Sequence, residues 1–164
     1  MPRTRDLVLG AALAIGARNL LNRVLLQKFR ADVRALNSGD YSGLLAAYAD
    51  DAVLAFNDGP HRWAGEHRGK DAIEVFLRDF TGAGLQGEVL EVWTSGPPWA
   101  LSLVARFNDH AMGPDGKEIY NNEVAVILRT KMGKIVRHED YYSDTARIEA
   151  FDRKLTEIGV HPHE

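Results

Sequence analysis

The sequence predicts a segregated α+β fold: a cone-shaped, curved, mixed and mostly antiparallel sheet with three helices over its concave face, plus an extended N-terminal helix. Three observations predict it. Apolar residues recur at helical spacing early, in the middle and at the end of the chain, as in Ile73, Phe76, Leu77 and Phe80. Four strand-like segments follow one another between Glu88 and Tyr142, separated by turn residues rather than helices. Helices and strands therefore fall in separate blocks, which distinguishes α+β from alternating α/β layouts.

The 164 residues, 45% of them hydrophobic and 26% charged, suit one compact domain with a single core. A formal net charge of −3, with the basic residues scattered among acids, argues against nucleic-acid binding. The absence of cysteine excludes disulfides, thiolate nucleophiles and cysteine-held metals. No cofactor is expected.

Taken in order, residues 1–25 read as an amphipathic helical extension, 26–158 as the domain and 159–164 as a tail. Met1 to Arg5 is basic and Leu7 to Gly16 is a short apolar run, an outline shared by signal peptides and too short to span a bilayer. The stripe continues through Leu20, Leu21, Val24, Leu25, Phe29, Val33 and Leu36, which favours a continuous helix and a cytoplasmic protein. Arg3, Arg5, Arg18 and Arg23 suit a lipid surface or plain solvation. Asn37-Ser38-Gly39-Asp40 ends that helix, and Tyr41 to Tyr48 forms a short second one. Ala52 to Phe56 and His61 to Glu66, around the turn Asn57-Asp58-Gly59-Pro60, read as a hairpin.

The third helix follows Gly69-Lys70-Asp71. Strands are then expected over Glu88–Thr94, Ala100–Phe107 and Ile119–Thr130, broken by Gly96-Pro97-Pro98 and Gly113-Pro114-Asp115-Gly116. Met132-Gly133 turns into a last strand, and Ser143 to Ile158 closes the fold as a helix with Ile148, Phe151 and Leu155 on one side. His161-Pro162-His163 reads as a loose, solvated tail.

The last strand carries the chemistry. Alternation places His138, Asp140 and Tyr142 on one face and Arg137, Glu139 and Tyr141 on the other. A carboxylate turned into a half-apolar cavity is costly unless paired, and groups kept in such surroundings are commonly functional. Asn122, with Tyr120, is expected inward beside Val124, Val126 and Leu128. Trp63, Trp93 and Trp99 are large enough to line a ligand cavity or an oligomer surface, and core packing is the favoured expectation for any one of them. His61 and His67 face one way but lack a third ligand, so no metal is expected.

Leu36-Asn37-Ser38-Gly39-Asp40, Tyr48-Ala49-Asp50-Asp51-Ala52, Gly69-Lys70-Asp71-Ala72-Ile73 and Gly133-Lys134-Ile135-Val136 with Asp140-Tyr141-Tyr142 occur in an order that resembles the nuclear transport factor 2-like superfamily, particularly its SnoaL-like branch. That resemblance implies the same cone fold. It leaves function open, because the fold hosts isomerases, cyclases, hydrolases, dehydratases and inert binding modules. Residues 106–151 are similar to limonene-type epoxide hydrolases, whose last-strand Asp acts as base on water, with an Arg between two carboxylates and a second Asp as proton donor. The resemblance puts Asp140 on the base, Arg106 on the Arg and Asn108 on the donor. That family's water-holding Tyr and Asn fall at Leu54 and Phe56, with Asn57 one residue away. Set against ketosteroid isomerase, Phe56, Asp32 and Ala125 occupy the base and oxyanion positions, which excludes that chemistry. SnoaL-like cyclases use a last-strand Asp as acid/base, a role open to Asp140 with His138.

The expected catalytic residues are thus Asp140, Arg106 and His138, with Arg106 within hydrogen-bond reach of Asp140. The expected substrate-binding residues are Asn108, Tyr142, Asn122, Tyr120, Phe56, Asn57, Trp63, Phe76 and Phe80. Two readings stay open. One is a cofactor-independent acid/base enzyme of cyclase, isomerase or hydrolase type on a small hydrophobic molecule; the other is a non-catalytic ligand-binding or dimerisation module. A homodimer is the expected assembly.

Overall fold

A computed structural model describes residues 23–163, and the expectations placed on residues 1–22 lie outside it. The chain falls into two compact units, residues 1–31 and 32–164. Residues 23–37 are helical (α1), ending as expected at Ser38-Gly39, where Gly39 takes a positive φ of 90°.

In the second unit, helix α2 (Ser42–Ala47) leads directly into β1 (Tyr48–Phe56), β2 (Gly65–Arg68), α3 (Lys70–Gly82), β3 (Gln86–Ser95), β4 (Ser102–Met112), β5 (Glu118–Lys131), β6 (Lys134–Tyr142) and α4 (Thr145–Glu157). The six strands make one sheet in the order β2-β1-β6-β5-β4-β3. Its one parallel pair is β1 with β6; the other pairs are antiparallel. The sheet is curved and unclosed, so the mixed α+β cone is the observed fold. β2 starts later than expected because His61 to Ala64 are taken up by a turn, closed by His61 N to Gly59 O and Ala64 N to His61 O.

One face of the sheet is the core. Leu54 and Phe56 of β1, Leu103, Ala105 and Phe107 of β4, and Tyr120, Val124 and Leu128 of β5 are buried there. Ile73, Phe76, Leu77 and Phe80 of α3 are buried too, and the Phe56 and Phe76 ring centroids lie 5.5 Å apart. α4 buries Ile148, Phe151 and Leu155, with Phe151 stacked on both Trp63 and Tyr120. Its N-cap is Asp144, whose side chain accepts from the Arg147 amide.

The segment after β1 fastens α4. Arg62 Nε donates to Asp152 at 2.5 Å, and the same guanidinium reaches the Val160 carbonyl at 2.8 Å. The tail is pinned rather than loose, because the His163 amide donates to the buried Asp79 carboxylate at 2.7 Å. Two of the tryptophans also depart from expectation: Trp63 is buried, but Trp93 and Trp99 are 51% and 62% exposed. Trp93 pairs with Val104 on the sheet's outer face, and Trp99 sits in the β3–β4 turn, where neither meets the core.

Among the described residues, no helix is long and apolar enough to cross a membrane.

Candidate active site on the inner face of the sheet

Strand register fixes which polar side chains meet. His138 lies between Leu54 of β1 and Leu128 of β5, Asp140 beside Val126, and Tyr142 beside Val124. All three face inward, as the alternation requires, and Asp140 is only 8% exposed. His138 Nε2 bonds Asp140 Oδ1 at 2.7 Å, and His138 Nδ1 meets the Tyr48 hydroxyl at 2.5 Å. Both ring nitrogens are engaged, so the histidine orients the aspartate and offers no free nitrogen to a substrate.

Asp140 does not meet Arg106. The β4–β5–β6 register aligns Ala105, Val126 and Asp140, while Arg106 aligns with Ala125 and Tyr141 on the opposite face. There it holds Glu91 and Glu123, each at 3.1 Å. Asn108 shares that outer face, between Glu88 and Glu123. Both assignments fail for one reason: in a strand, a shift of one residue exchanges the faces.

The inward residues of this stretch are Phe107 and Asp109. Asp109 is 4% exposed and accepts a 2.5 Å hydrogen bond from the Tyr142 hydroxyl. Burial pushes its carboxyl up to about 7; the Tyr142 hydrogen bond pulls it part of the way back, and the charge of Asp140 adds to the rise. Gly87 stands opposite Asp109 in the register, and a Cβ at Gly87 would lie 3.1 Å from Asp109 Oδ1. The missing side chain leaves room for the carboxyl. Asn37 holds Gly87 in place by a reciprocal pair of amide bonds at 3.0 and 2.9 Å.

The site thus contains two carboxylates in different settings. Asp140 is tied to a histidine that is tied to a tyrosine; Asp109 is tied to Tyr142. Burial, then the nearby charges of Asp109 and Asp140, raise the Tyr142 phenol well above its ordinary range, so it serves as a hydrogen-bond donor. Two carboxyls with different partners, one of them raised by burial, are a setting in which acid and base roles can be divided. Asp109 was not singled out in the sequence because Arg106-Phe107-Asn108-Asp109 offers a polar residue on either face. The periodicity of β4, with Leu103, Ala105, Phe107 and Ala111 as its apolar set, is the signal that identifies it.

The remaining predicted residues divide. Phe56, Phe76 and Phe80 form a contiguous aromatic wall that reaches Tyr142, with Phe56 and Tyr142 centroids 5.0 Å apart. Asn57 accepts from the Tyr142 amide at 3.1 Å and so fixes the end of β6. Asn122 is inward, yet its amide bonds the Asp144 carbonyl and the Tyr120 hydroxyl and accepts from Ser143, which secures the turn into α4. Trp63 is walled in behind Phe151. Among the described residues, no group of three or more His, Asp and Glu side chains could hold a metal ion.

The profile of the SnoaL-like domain matches residues 29–138. The chain belongs to the SnoaL-like domain family. No curated protein matches this SnoaL-like sequence. Among solved structures, it is similar to an NTF2-like protein of unknown function from Burkholderia pseudomallei, 24% identical, over 77% of this chain and 95% of that one, with a TM-score of 0.65. TerC co-crystallised with polyporic acid is 17% identical over 77% and 96%, with a TM-score of 0.62. A putative polyketide cyclase from Sinorhizobium meliloti is 21% identical over 70% and 94%, with a TM-score of 0.52. At these identities the likeness is one of fold alone.

Proposed function

We propose that this SnoaL-like protein is a cofactor-independent acid/base enzyme acting on a small hydrophobic molecule at the inner face of the sheet. Asp140 is the base and Asp109 the acid. The observation that carries the reading is the pair of buried carboxylates, one on a histidine and one on a tyrosine, beside an aromatic wall. In the step proposed, Asp140 takes a proton from carbon or from water. Taken from carbon, the proton leaves its electron pair on the substrate as an enolate, whose oxygen takes the proton from Asp109; taken from water, the hydroxide oxygen bonds to a substrate carbon as that carbon's bond to its leaving oxygen breaks, and the leaving oxygen takes the proton from Asp109. The enzyme ends with one proton moved between carboxylates and resets through solvent.

Two supports are independent of each other. The inward residues of β4 and β6 include no Lys or Arg, so the site favours an uncharged substrate. A fold relative is a putative polyketide cyclase, which makes cyclisable carbonyl compounds the first class to test, with epoxides second. Asp140→Asn and Asp109→Asn are each expected to lower turnover about 100-fold or more, the usual contribution of a positioned acid or base. Wild-type rates in both variants, on a substrate the wild type turns over, would overturn the assignment.

A second reading concerns assembly, and rests on the outer face of the sheet. Trp93 lies there in register with Val104 and Ile127, and Tyr141 (53% exposed) with Ala125 and Arg106, and we propose that a second copy covers this face in a homodimer.

A further inference from the structure

The Tyr48–His138–Asp140 chain has an order that the reaction alone does not explain. It begins at a tyrosine with no exposed surface, the first residue of β1. Burial, with the charge of Asp140 second, raises the Tyr48 phenol well above its ordinary range, so it neither ionises nor acts as a nucleophile. Its ring lies nearly parallel to that of His138, with 16° between planes and 6.0 Å between centroids. The neighbours of His138 across the sheet, Leu54 and Leu128, are apolar. The ring nitrogens are therefore held by Tyr48 and Asp140 alone among the described residues.

We propose that Tyr48 is a positioning residue, which fixes the tautomer of His138 and through it presents Asp140 Oδ2 as the atom that receives the proton. This rests on the acid/base reading above. For a neutral imidazole beside an ionised carboxylate, the geometry leaves one consistent assignment. An ionised carboxylate only accepts, so Nε2 carries the hydrogen that faces Asp140 Oδ1. Nδ1 of the neutral ring is then an acceptor, and the Tyr48 hydroxyl donates to it. In the other tautomer, the bare Nε2 lone pair would face a carboxylate oxygen at 2.7 Å, and Nδ1–H would face a hydroxyl whose own hydrogen has no acceptor. With Oδ1 bonded to Nε2, Oδ2 is left for the substrate. The same constraint removes His138 from direct proton exchange with substrate and makes it a positioning residue as well.

The test separates this inference from the enzyme reading. In the full chain labelled with 15N-histidine, NMR at pH 7.5 is expected to show His138 protonated at Nε2, with Nδ1 as a hydrogen-bonded acceptor. In Tyr48→Phe, the Nε2–H signal is expected to persist while Nδ1 moves to the position of a free, unbonded nitrogen. A wild-type ring protonated at Nδ1, or an Nδ1 resonance unmoved by Tyr48→Phe, would overturn the proposal. The wild-type spectrum decides the tautomer even if the variant does not fold. On any substrate whose turnover Asp140→Asn abolishes, Tyr48→Phe is expected to lower kcat roughly 10- to 100-fold with KM little changed, as misplacement of a catalytic group does. An unchanged kcat would count against the positioning role. Failure of Asp140→Asn to affect any reaction would sink the enzyme reading and leave the tautomer assignment standing.

Discussion

At position 109 the chain keeps a carboxyl buried against Tyr142, with a value of about 7 in the folded state against about 4 in an unfolded chain. A group whose value rises on folding contributes stability that is full below about pH 4 and is lost as pH climbs through about 7. Asp109→Asn is therefore expected to flatten the alkaline fall of stability, gaining on the order of a few kcal/mol over wild type at pH 9 in urea titrations. Turnover is expected to fall over the same range, because Asp109 must be protonated to act as an acid. His61 carries the opposite sign. Burial lowers it against the pull of Asp152, Glu149 and Asp58, so its contribution is present above about pH 6.5 and is lost as pH falls. Comparing melting temperatures at pH 5 and pH 8, His61→Phe should lose less on the acid side than wild type. Arg106, paired on the outer face, should be replaceable by Ala with turnover unchanged, which an assay of purified variant and wild type will check.

At the scale of elements, α4 is held by a stack of three rings and the half-buried Arg62–Asp152 ion pair. Phe151 lies between Trp63 and Tyr120, so Phe151→Ala is expected to cost about 3–5 kcal/mol in denaturant unfolding. The kind and order of the elements were legible in the sequence, because apolar spacing and Gly/Pro breakers act locally, but β1 begins at Tyr48 rather than Ala52 and β2 at Gly65 rather than His61. The last strand was legible down to its face, since His138, Asp140 and Tyr142 alternate with plainly exterior residues. β4 was not. Arg106 and Asp109 are both polar and three apart, so they sit on opposite faces, and only the alternation of Leu103, Ala105, Phe107 and Ala111 tells which of them is inward. The tail was illegible for a different reason: His163 is held through its backbone amide, a contact that no side-chain pattern records. Trp93 and Trp99 were misplaced because size alone does not say which side of a sheet a residue takes.

For the 32–163 unit as a whole, the inner face carries the proposed chemistry and the outer face the proposed contact with a second copy. A homodimer through the outer face predicts twice the chain mass by light scattering, and Tyr141→Glu is expected to return the monomer mass by replacing an exposed ring of the covered face with a charge. The two faces are separable by experiment, since Tyr141→Glu leaves the inner face intact and Asp140→Asn leaves the outer one.

The parallel pairing of β1 with β6 also carries a consequence in time. β3 to β6 form a meander whose pairings close short loops, whereas Tyr48 and His138 are 90 residues apart and meet only when β1 docks. Pairing across such a separation comes late in folding, because the entropy of closing the loop must be met before the contact returns anything. Tyr48→Phe is accordingly expected to leave the refolding rate in stopped-flow experiments unchanged and to speed unfolding. A nascent chain would then assemble β3 to β6 first, and would bring Phe56 to the aromatic wall and Tyr48 to His138 together, only as its last strand pair zipped shut.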